Sequence, residues 1–265
     1  MIKEFYNTID STNSEASRSL DSVSQIPCGY KALHKKVIYA AHQWAGRGRM
    51  GRQFFSPETG VYMSLIYCPK MVENFNPALY TAAAAVAVSR VIKSLYGKDS
   101  LIKWVNDVYV NGKKVCGILT EGKIDISSGK IGAMVVGIGV NIFTPEKDFP
   151  EEIRQRAGSV LESADMKNEE TPDIHQFVVF LVEEICRIYD SFESKELSVL
   201  KEVMAEYRSR SNLIGKTVTV TPVIEQESGR YEAFVKDITG DAKLVVALSD
   251  GTVRELSSGE VTLHV

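Results

Sequence analysis

The chain has 265 residues, of which 44% are apolar and 25% are charged, and its formal net charge is −3. This length suits one large domain with a small one, and the slightly acidic balance argues against a protein that coats nucleic acid or a membrane surface. No apolar run reaches the ~20 residues that span a bilayer, and the N-terminus lacks a signal-peptide pattern. We therefore expect a cytoplasmic protein with reduced thiols at Cys28, Cys68, Cys116 and Cys186.

The first polar cluster separates a predicted edge strand at residues 2–6 from a helix that runs to about residue 20. It reads Asp10-Ser11-Thr12-Asn13, and its short polar side chains are typical of a helix cap, with Glu15 in the box position relative to Thr12. The same hydroxyls could instead face a pocket and bind a small polar ligand. The sequence leaves both interpretations open.

A loop rich in glycine and arginine follows the strand predicted at residues 37–41. It reads Gly46-Arg47-Gly48-Arg49-Met50-Gly51-Arg52. Glycine lets the backbone approach a ligand closely, and arginine offers a planar donor fork to phosphate and carboxylate oxygens. We predict a loop that is mobile when empty and ordered around an anion. A basic surface turn and a nucleic-acid-binding loop are the generic alternatives.

The middle of the chain predicts a helix between strands. A strand is expected at residues 61–67, and Asn76-Pro77 begins a helix, since proline suits its first turn. The helix interior at 79–95 is small-sided and apolar, which indicates packing against a sheet. Asn111-Gly112 then joins two β-prone runs, the strongest hairpin signal in the chain.

A second hairpin turns at Ser127-Ser128-Gly129, and its far arm, residues 131–140, carries three glycines. Glycines inside a strand indicate that something approaches its backbone closely. The order of elements favours an α+β fold with a mixed or antiparallel sheet.

The C-terminal part predicts helices followed by a small β-domain. Short and long helices are expected near 151–155, 173–192 and 196–207, with a linker at 208–212. Five short β-prone runs follow, at 217–220, 233–238, 244–248, 252–256 and 261–265. They suggest a small β-barrel. We therefore divide the chain into a large domain at 1–210 and a barrel domain at 211–265.

Together these pieces resemble the biotin protein ligases. The Gly/Arg loop is similar to the family's Gly-Arg-Gly-Arg-Arg-Gly-Arg loop, and Lys103-Trp104-Val105-Asn106-Asp107 is similar to its Lys-Trp-Pro-Asn-Asp motif. Lys113-Lys114-Val115-Cys116-Gly117-Ile118-Leu119-Thr120-Glu121 resembles the Lys-x-x-Gly-Ile-Leu-x-Glu strand after that motif. Asp10-Ser11-Thr12-Asn13 and Gly137-Ile138-Gly139-Val140-Asn141 match two further segments, so the likeness covers nearly the whole chain in the right order.

The resemblance implies a fold and a reaction. The fold is a class II synthetase-like catalytic domain with an SH3-like C-terminal barrel. The reaction joins biotin and ATP, with Mg²⁺, into biotinyl-5′-AMP, from which a lysine of a biotin carboxyl carrier domain takes the biotinyl group.

The resemblance also assigns residues. Biotin binding falls to Ser11, Thr12, Asn13, Gln43, Gly46, Arg47, Gly48, Arg49, Lys114 and Gly117. Nucleotide binding falls to Arg47, Arg49, Arg52, Phe54, Asn106, Lys114 and Asn141. Lys114, Arg49 and Asp107 are the expected catalytic residues, and Asn106 is a candidate contact to Mg²⁺.

Two of these assignments have plain structural alternatives. Lys114 is expected to bridge the biotin carboxylate and the α-phosphate, although a hairpin lysine is usually exposed, as its neighbour Lys113 is expected to be. Asp107 is expected to orient or deprotonate the carrier lysine, whereas Asn106-Asp107 could simply form a turn between strands.

Three positions depart from the family pattern. Val105 replaces a proline, Met50 an arginine and Phe54 a tryptophan, and none of these changes removes a reactive group. A lipoate ligase is the nearest alternative enzyme, but its expected Arg-Arg/Gly-Gly-Gly signature is not in the sequence. A DNA-binding repressor is the alternative from another class. We expect no operator binding, because residues 10–12 begin too near Met1 for a preceding helix-turn-helix domain. Whether the chain forms a homodimer stays open.

Overall fold

The computed structural model describes residues 2–26, 29–70, 76–125, 128–162, 165, 173–222 and 229–263. The larger of its two sheets consists of β1 (Lys3–Ile9), β2 (Val37–Gln43), β3 (Gly60–Tyr67), β4 (Leu101–Lys103), β5 (Asp107–Val110), β6 (Lys113–Ile124) and β7 (Ile131–Asn141). Their order is β1-β2-β3-β7-β6-β5-β4, with β1 at the expected edge. β1 and β2 run parallel, and the other neighbours pair antiparallel. The predicted mixed sheet is confirmed.

The helices begin and end close to the predicted positions. Within the described residues they are α1 (Thr12–Ser22), α2 (Gly29–Ala32), α3 (Pro77–Tyr96), α4 (Glu151–Arg154), α5 (Ile174–Glu193) and α6 (Leu197–Ser209). Asn76 caps α3, because its side chain accepts hydrogen bonds from the backbone N–H groups of Ala78 and Leu79, and Pro77 occupies the first turn. The four-residue helix α2 was not predicted, since so short a segment carries no periodic pattern.

Helix α3 is the most deeply buried helix of the fold. Its central alanines and valines, residues 82–88, are fully buried between the sheet on one side and α5 and α6 on the other. By length and composition α3 could cross a bilayer, which corrects the expectation that no apolar run is long enough. Two-thirds of that apolar stretch, 67%, is buried inside the protein. Its apolar surface is thus covered by protein, as the small side chains predicted.

Strand alternation gives the sheet two different faces. On β7, Met134 and Val136 belong to the main core under α3 and α5, whereas Ala133 and Val135 belong to a smaller core under α1. The next residues on the α1 face are Gly137 and, after it, a second glycine at 139. The α1 face is therefore apolar at one end of β7 and open at the other.

The C-terminal sheet consists of β8 (Thr217–Thr221), β9 (Tyr231–Ile238), β10 (Leu244–Ala247), β11 (Val253–Leu256) and β12 (Glu260–Leu263), in the order β11-β10-β9-β8-β12. All five predicted strands are present, but the barrel is not confirmed. β11 and β12 are the two edges, and no ladder joins them within the described residues. In a flat sheet they would lie ~19 Å apart, whereas three connecting residues reach at most ~14 Å. The sheet is therefore curled and open.

The predicted linker at 208–212 is bound to the larger sheet. The backbone N–H of Ile102 donates to the carbonyl of Arg210 at 2.8 Å, and the N–H of Asn212 donates to the carbonyl of Ile102 at 3.1 Å. The indole of Trp104 donates to the carbonyl of Ala242 at 2.8 Å, and both are buried. One hydrophobic cluster also runs through both parts of the chain. The division into two domains at residue 210 stays a prediction.

Three cysteines are buried free thiols, as predicted, namely Cys68, Cys116 and Cys186. Burial raises the pKa of Cys68 and of Cys186 to about 11, so both stay protonated at neutral pH. Cys28, the turn residue Ser127 and the final predicted strand residues 264–265 lie outside the described residues.

Candidate functional site

The open half of the α1 face is a cavity of about 540 Å³. It is walled by strands β5, β6 and β7, by the start of α1, by the Gly/Arg loop and by the loop before β12. Of the residues proposed from the sequence, the cavity lining includes Ser11, Thr12, Asn13, Gln43, Arg47, Gly48, Arg49, Arg52, Phe54, Asn106, Asp107, Lys114, Gly117 and Asn141. Gly46 lies just behind the wall, where a Cβ would stand 2.4 Å from the carbonyl oxygen of Phe54.

One end of the cavity is lined by buried polar groups. The N–H and hydroxyl of Thr12 donate to Oε1 of Gln43 at 2.8 and 3.2 Å, and Nε2 of Gln43 donates to the hydroxyl of Ser56 at 3.0 Å. Ser64 Oγ lies 2.8 Å from Thr12 Oγ1 and donates to Asn13 Oδ1 at 2.6 Å. These groups are almost completely shielded from solvent. They form a preorganised set of donors and acceptors.

The capping interpretation of this cluster is wrong. Ser11 occupies the N-cap position of α1, but it makes no side-chain cap hydrogen bond. Thr12 bonds to Gln43 instead of to the helix backbone. The side chains that could cap α1 are therefore used by the cavity, as the alternative interpretation predicted.

Glycines on β6 and β7 make room for side chains from elsewhere. A Cβ at Gly137 would stand 1.9 Å from Asn13 Oδ1, and one at Gly139 would stand 2.6 Å from the Phe54 ring. A Cβ at Gly117 would lie 3.2 Å from the same ring. The close approach predicted for this strand is therefore made by Asn13 and Phe54. The ring of Phe54 forms a flat platform above the sheet.

A β-bulge brings Lys114 into the cavity. Asp107 pairs with Gly117, but Tyr109 pairs with Lys114, so Val115 is an extra residue on β6. In a regular strand, alternation would put Lys114 and Gly117, three residues apart, on opposite faces, whereas the bulge puts them on the same face. Lys114 Nζ lies 2.6 Å from Asp107 Oδ1. Lys113 points away and pairs with Glu146 at 2.8 Å outside the site.

The turn between β4 and β5 carries Asn106, which hydrogen-bonds to both Asp107 and Arg49. Asn106 Nδ2 donates to Asp107 Oδ1 at 3.0 Å and to the carbonyl of Ile118 at 3.1 Å. Its Oδ1 accepts from Arg49 Nη1 at 2.8 Å. The two interpretations of Asn106-Asp107 are compatible, because the turn itself lines the cavity.

The Gly/Arg loop is folded across the cavity mouth. Its two sides pair at Arg47 and Gln53, and the N–H of Gly48 donates to the carbonyl of Arg52 at 2.7 Å. Met50 has a φ of 55° and is 55% exposed at the tip. Arg49 reaches inward to Asn106 and donates to the carbonyl of Gly259 at 3.3 Å. The predicted mobility of the empty loop stays a prediction.

At the other end, Asn141 presents an acceptor without a partner. Its Nδ2 donates to the carbonyl of Gly158 at 3.1 Å, while its Oδ1 is buried with no hydrogen-bond partner among the described residues. Leaving such an acceptor unpaired is costly, which indicates that a ligand N–H satisfies it. Asn141 thus suits the adenosine contact predicted for it.

Several cavity residues were missed by the sequence analysis. They are Tyr109, Ile153, Arg156, Ala157, Gly259 and Thr262. Arg156 follows the short helix α4, and its carbonyl accepts from the N–H of Lys114 at 2.8 Å. Burial raises the pKa of Tyr109 to about 12, so its hydroxyl remains a donor at neutral pH. The positions of Gly259 and Thr262 depend on the small sheet, which no local signal places at this cavity.

The donor set does not fit a resident metal ion. Within the described ranges no group of three His, Cys, Asp or Glu side chains could hold one. The Oδ1 of Asn106, the candidate contact, already accepts from a guanidinium. A role for Mg²⁺ as the companion of the ATP phosphates stays a prediction.

Comparisons with known proteins agree on one class. Residues 29–141 match the model of the biotin/lipoate A/B protein ligase family. The bifunctional ligase/repressor BirA of Bacillus subtilis is 41% identical over 132 residues, 49% of this chain and 40% of that protein. The biotin–acetyl-CoA-carboxylase ligase of Mycobacterium tuberculosis is 27% identical over 235 residues, 85% of this chain and 77% of that protein.

A solved structure shows the same fold. The biotin protein ligase from Aquifex aeolicus, in complex with biotin and ATP, matches with a TM-score of 0.75 and 24% identity, over 99% of this chain and 98% of that one. The architecture is therefore that of the biotin protein ligases. Residues 29–141 are therefore similar to the biotin/lipoate A/B protein ligase family, and the chain as a whole shares the fold of the Aquifex protein. The matched segment spans only 40% of the length of the Bacillus relative.

Proposed function

We propose that this protein is a biotin protein ligase. In the first step a carboxylate oxygen of biotin attacks the α-phosphorus of ATP, and pyrophosphate leaves to give biotinyl-5′-AMP. In the second step the amine of a carrier lysine attacks the carbonyl carbon of that anhydride, and AMP leaves. The observation that supports this proposal most is a single cavity with a buried polar end and a cationic end, separated by an aromatic platform.

The polar end suits the ureido ring of biotin. That ring offers two N–H donors and one carbonyl acceptor, so its site must supply both acceptors and donors. Thr12, Gln43 and Ser64 provide hydroxyl and amide groups in a buried cluster. Asn13 completes the cluster beside Gly137. A ring seated there would direct the apolar tail of biotin along β7 towards Lys114.

The cationic end suits the two anions of the first step. A carboxylate and a phosphate repel each other unless fixed positive charges lie between them. Lys114, Arg49 and Arg156 line that end. Lys114 is also held at a definite position by Asp107, at 2.6 Å. We assign to Lys114 the bridge between carboxylate and α-phosphate, and to Phe54 and Asn141 the contacts with the adenine base.

Asp107 is suited to the second step because Lys114, its partner in this structure, would contact the substrate anions instead. When Lys114 contacts the substrate anions, the Asp107 carboxylate loses part of its charge compensation. It can then accept a hydrogen bond from the incoming amine, orient it and take its proton.

Asp107→Asn is expected to slow transfer from preformed biotinyl-5′-AMP by about 100-fold, with a much smaller effect on adenylate formation. The amide keeps the shape of the side chain but cannot take a proton. Single-turnover assays started with biotin and ATP, or with synthetic adenylate, separate the two steps. Glu146→Gln, which alters the similar Lys113 pair outside the cavity, serves as the control. Equal slowing of both steps would reject the base role.

Arg49→Gly is expected to release biotinyl-5′-AMP roughly 30-fold faster, because the loop loses hydrogen bonds to Asn106 and Gly259. The freed adenylate should then biotinylate bystander proteins without selectivity. Met50→Gly is the matched control, since it gives the loop similar freedom without removing a guanidinium. The lid role of Arg49 fails if its variant retains the adenylate as long as wild type.

Mass spectrometry of a carrier domain tests the function directly. The domain is incubated with the protein, biotin, ATP and Mg²⁺, and lipoate replaces biotin in a parallel sample. The proposal requires one biotinyl group on one lysine. Modification by lipoate alone would instead support a lipoate ligase, which the family model also includes.

A further inference from the structure

One carboxylate on β6 connects the Gly/Arg loop to the polar end of the cavity. Oε1 of Glu121 accepts from Arg47 Nη2 at 2.7 Å, and Oε2 accepts from Arg47 Nη1 at 3.1 Å. The same Oε2 accepts from Asn13 Nδ2 at 2.9 Å. Glu121 thus binds two groups that belong to different elements, and none of the assignments above gives it a role.

The contact to Glu121 fixes the orientation of the Asn13 amide. Asn13 Oδ1 accepts from Ser64, so its Nδ2 must face the carboxylate. An amide whose oxygen and nitrogen are both hydrogen-bonded has one allowed orientation, so it presents its donor and its acceptor to a ligand at fixed positions. Glu121 therefore acts on the ligand-binding end of the cavity through Asn13.

The same contact uses the charge of Arg47. Its planar fork makes a two-point ion pair with Glu121, so this guanidinium is directed away from the phosphate region. Glu121 and Lys114 are seven residues apart on β6, which separates their backbones by roughly 20 Å. An arginine side chain cannot span that distance while it remains paired with Glu121. Arg47 therefore belongs to the polar end.

We propose that Glu121 is a positioning residue that fastens the Gly/Arg loop through Arg47 when a ligand occupies the site next to Asn13. The inference rests on the function proposed above. The Glu121 and Arg47 side chains are 31% and 43% exposed, so water and salt weaken their pair in the empty protein. A ring bound beneath the loop excludes water from this pair and strengthens it. Occupancy of the ureido site is thereby coupled to closure.

The test compares Glu121→Gln with wild type in the full-length chain. We expect about fivefold faster dissociation of biotinyl-5′-AMP and loss of the biotin-dependent protection of the loop arginines from trypsin. The KM for ATP should stay unchanged. Adding Arg47→Gln to Glu121→Gln should not accelerate adenylate dissociation further, because both changes remove the same Arg47–Glu121 pair. Asp237→Asn, which breaks an exposed two-point pair with Arg208, is the control and should behave as wild type.

Two results would overturn the proposal. Unchanged release and unchanged protection in Glu121→Gln would show that no coupling exists. A lower KM for ATP in that variant would show that Arg47, once freed, binds phosphate instead. If wild type binds neither biotin nor its adenylate, the proposed function itself fails, and this result is seen before any variant is compared.

Discussion

Lys114→Ala is expected to slow the formation of biotinyl-5′-AMP by about 10²–10³-fold. The side chain supplies a preorganised positive charge where a carboxylate and a phosphate must meet, and removing one such group costs roughly 3–4 kcal/mol of transition-state stabilisation. The pyrophosphate released in a single turnover measures the step directly. Biotin affinity should change far less, since the ureido contacts lie at the other end of the cavity.

Lys113→Ala is the matched control for that experiment. The two lysines are adjacent and both are paired with carboxylates, at 2.6 Å for Lys114 and 2.8 Å for Lys113. Only Lys114 lines the cavity. Equal losses in both variants, or a larger loss in Lys113→Ala, would contradict the assignment.

Gly137→Ala is expected to weaken biotin binding by roughly 100-fold, which corresponds to the loss of two buried hydrogen bonds. The added methyl group would stand 1.9 Å from Asn13 Oδ1 and 2.8 Å from Nδ2. β7 is paired on both sides in the middle of the sheet and cannot move away. Asn13 must therefore leave its place between Ser64 and Glu121. Isothermal titration with biotin measures the effect.

Gly240→Ala makes the same chemical change in open space, because a Cβ at that position meets no atom within 4 Å. It should bind biotin as wild type does. Thermal unfolding of both variants separates a lost site from a lost fold. A folded Gly137→Ala protein with normal affinity for biotin would show that Asn13 takes no part in binding.

Local signals were sufficient where the cause is local. Asn76 and Pro77 predict the start of α3 because the cap and the fixed proline φ act within one turn. The hairpin at Asn111-Gly112 is predicted for the same reason: both residues have a positive φ, at 50° and 77°. Whether the C-terminal strands close into a barrel depends instead on pairing between distant edges, and no local pattern encodes that these edges stay unpaired in the part of the chain that the structure describes.

The site shows the same division between local and distant causes. Simple alternation on β6 would have placed Lys113 on the face of Gly117, and the bulge at Val115 reverses that result. Only the resemblance to known ligases selected Lys114 from the sequence. The polar cluster at residues 11–13 is typical of a helix cap, and only its contacts with Gln43 and Ser64 identify it as part of a pocket.

The small sheet is part of the cavity wall, and this has a consequence for any shortened version of the protein. Gly259 holds Arg49, and Ala242 accepts the buried indole N–H of Trp104. A chain cut after residue 210 would keep every residue assigned to the chemistry. It would also leave an indole donor without its acceptor beside the turn that carries Asn106 and Asp107. A shortened version of this protein therefore has to retain both sheets.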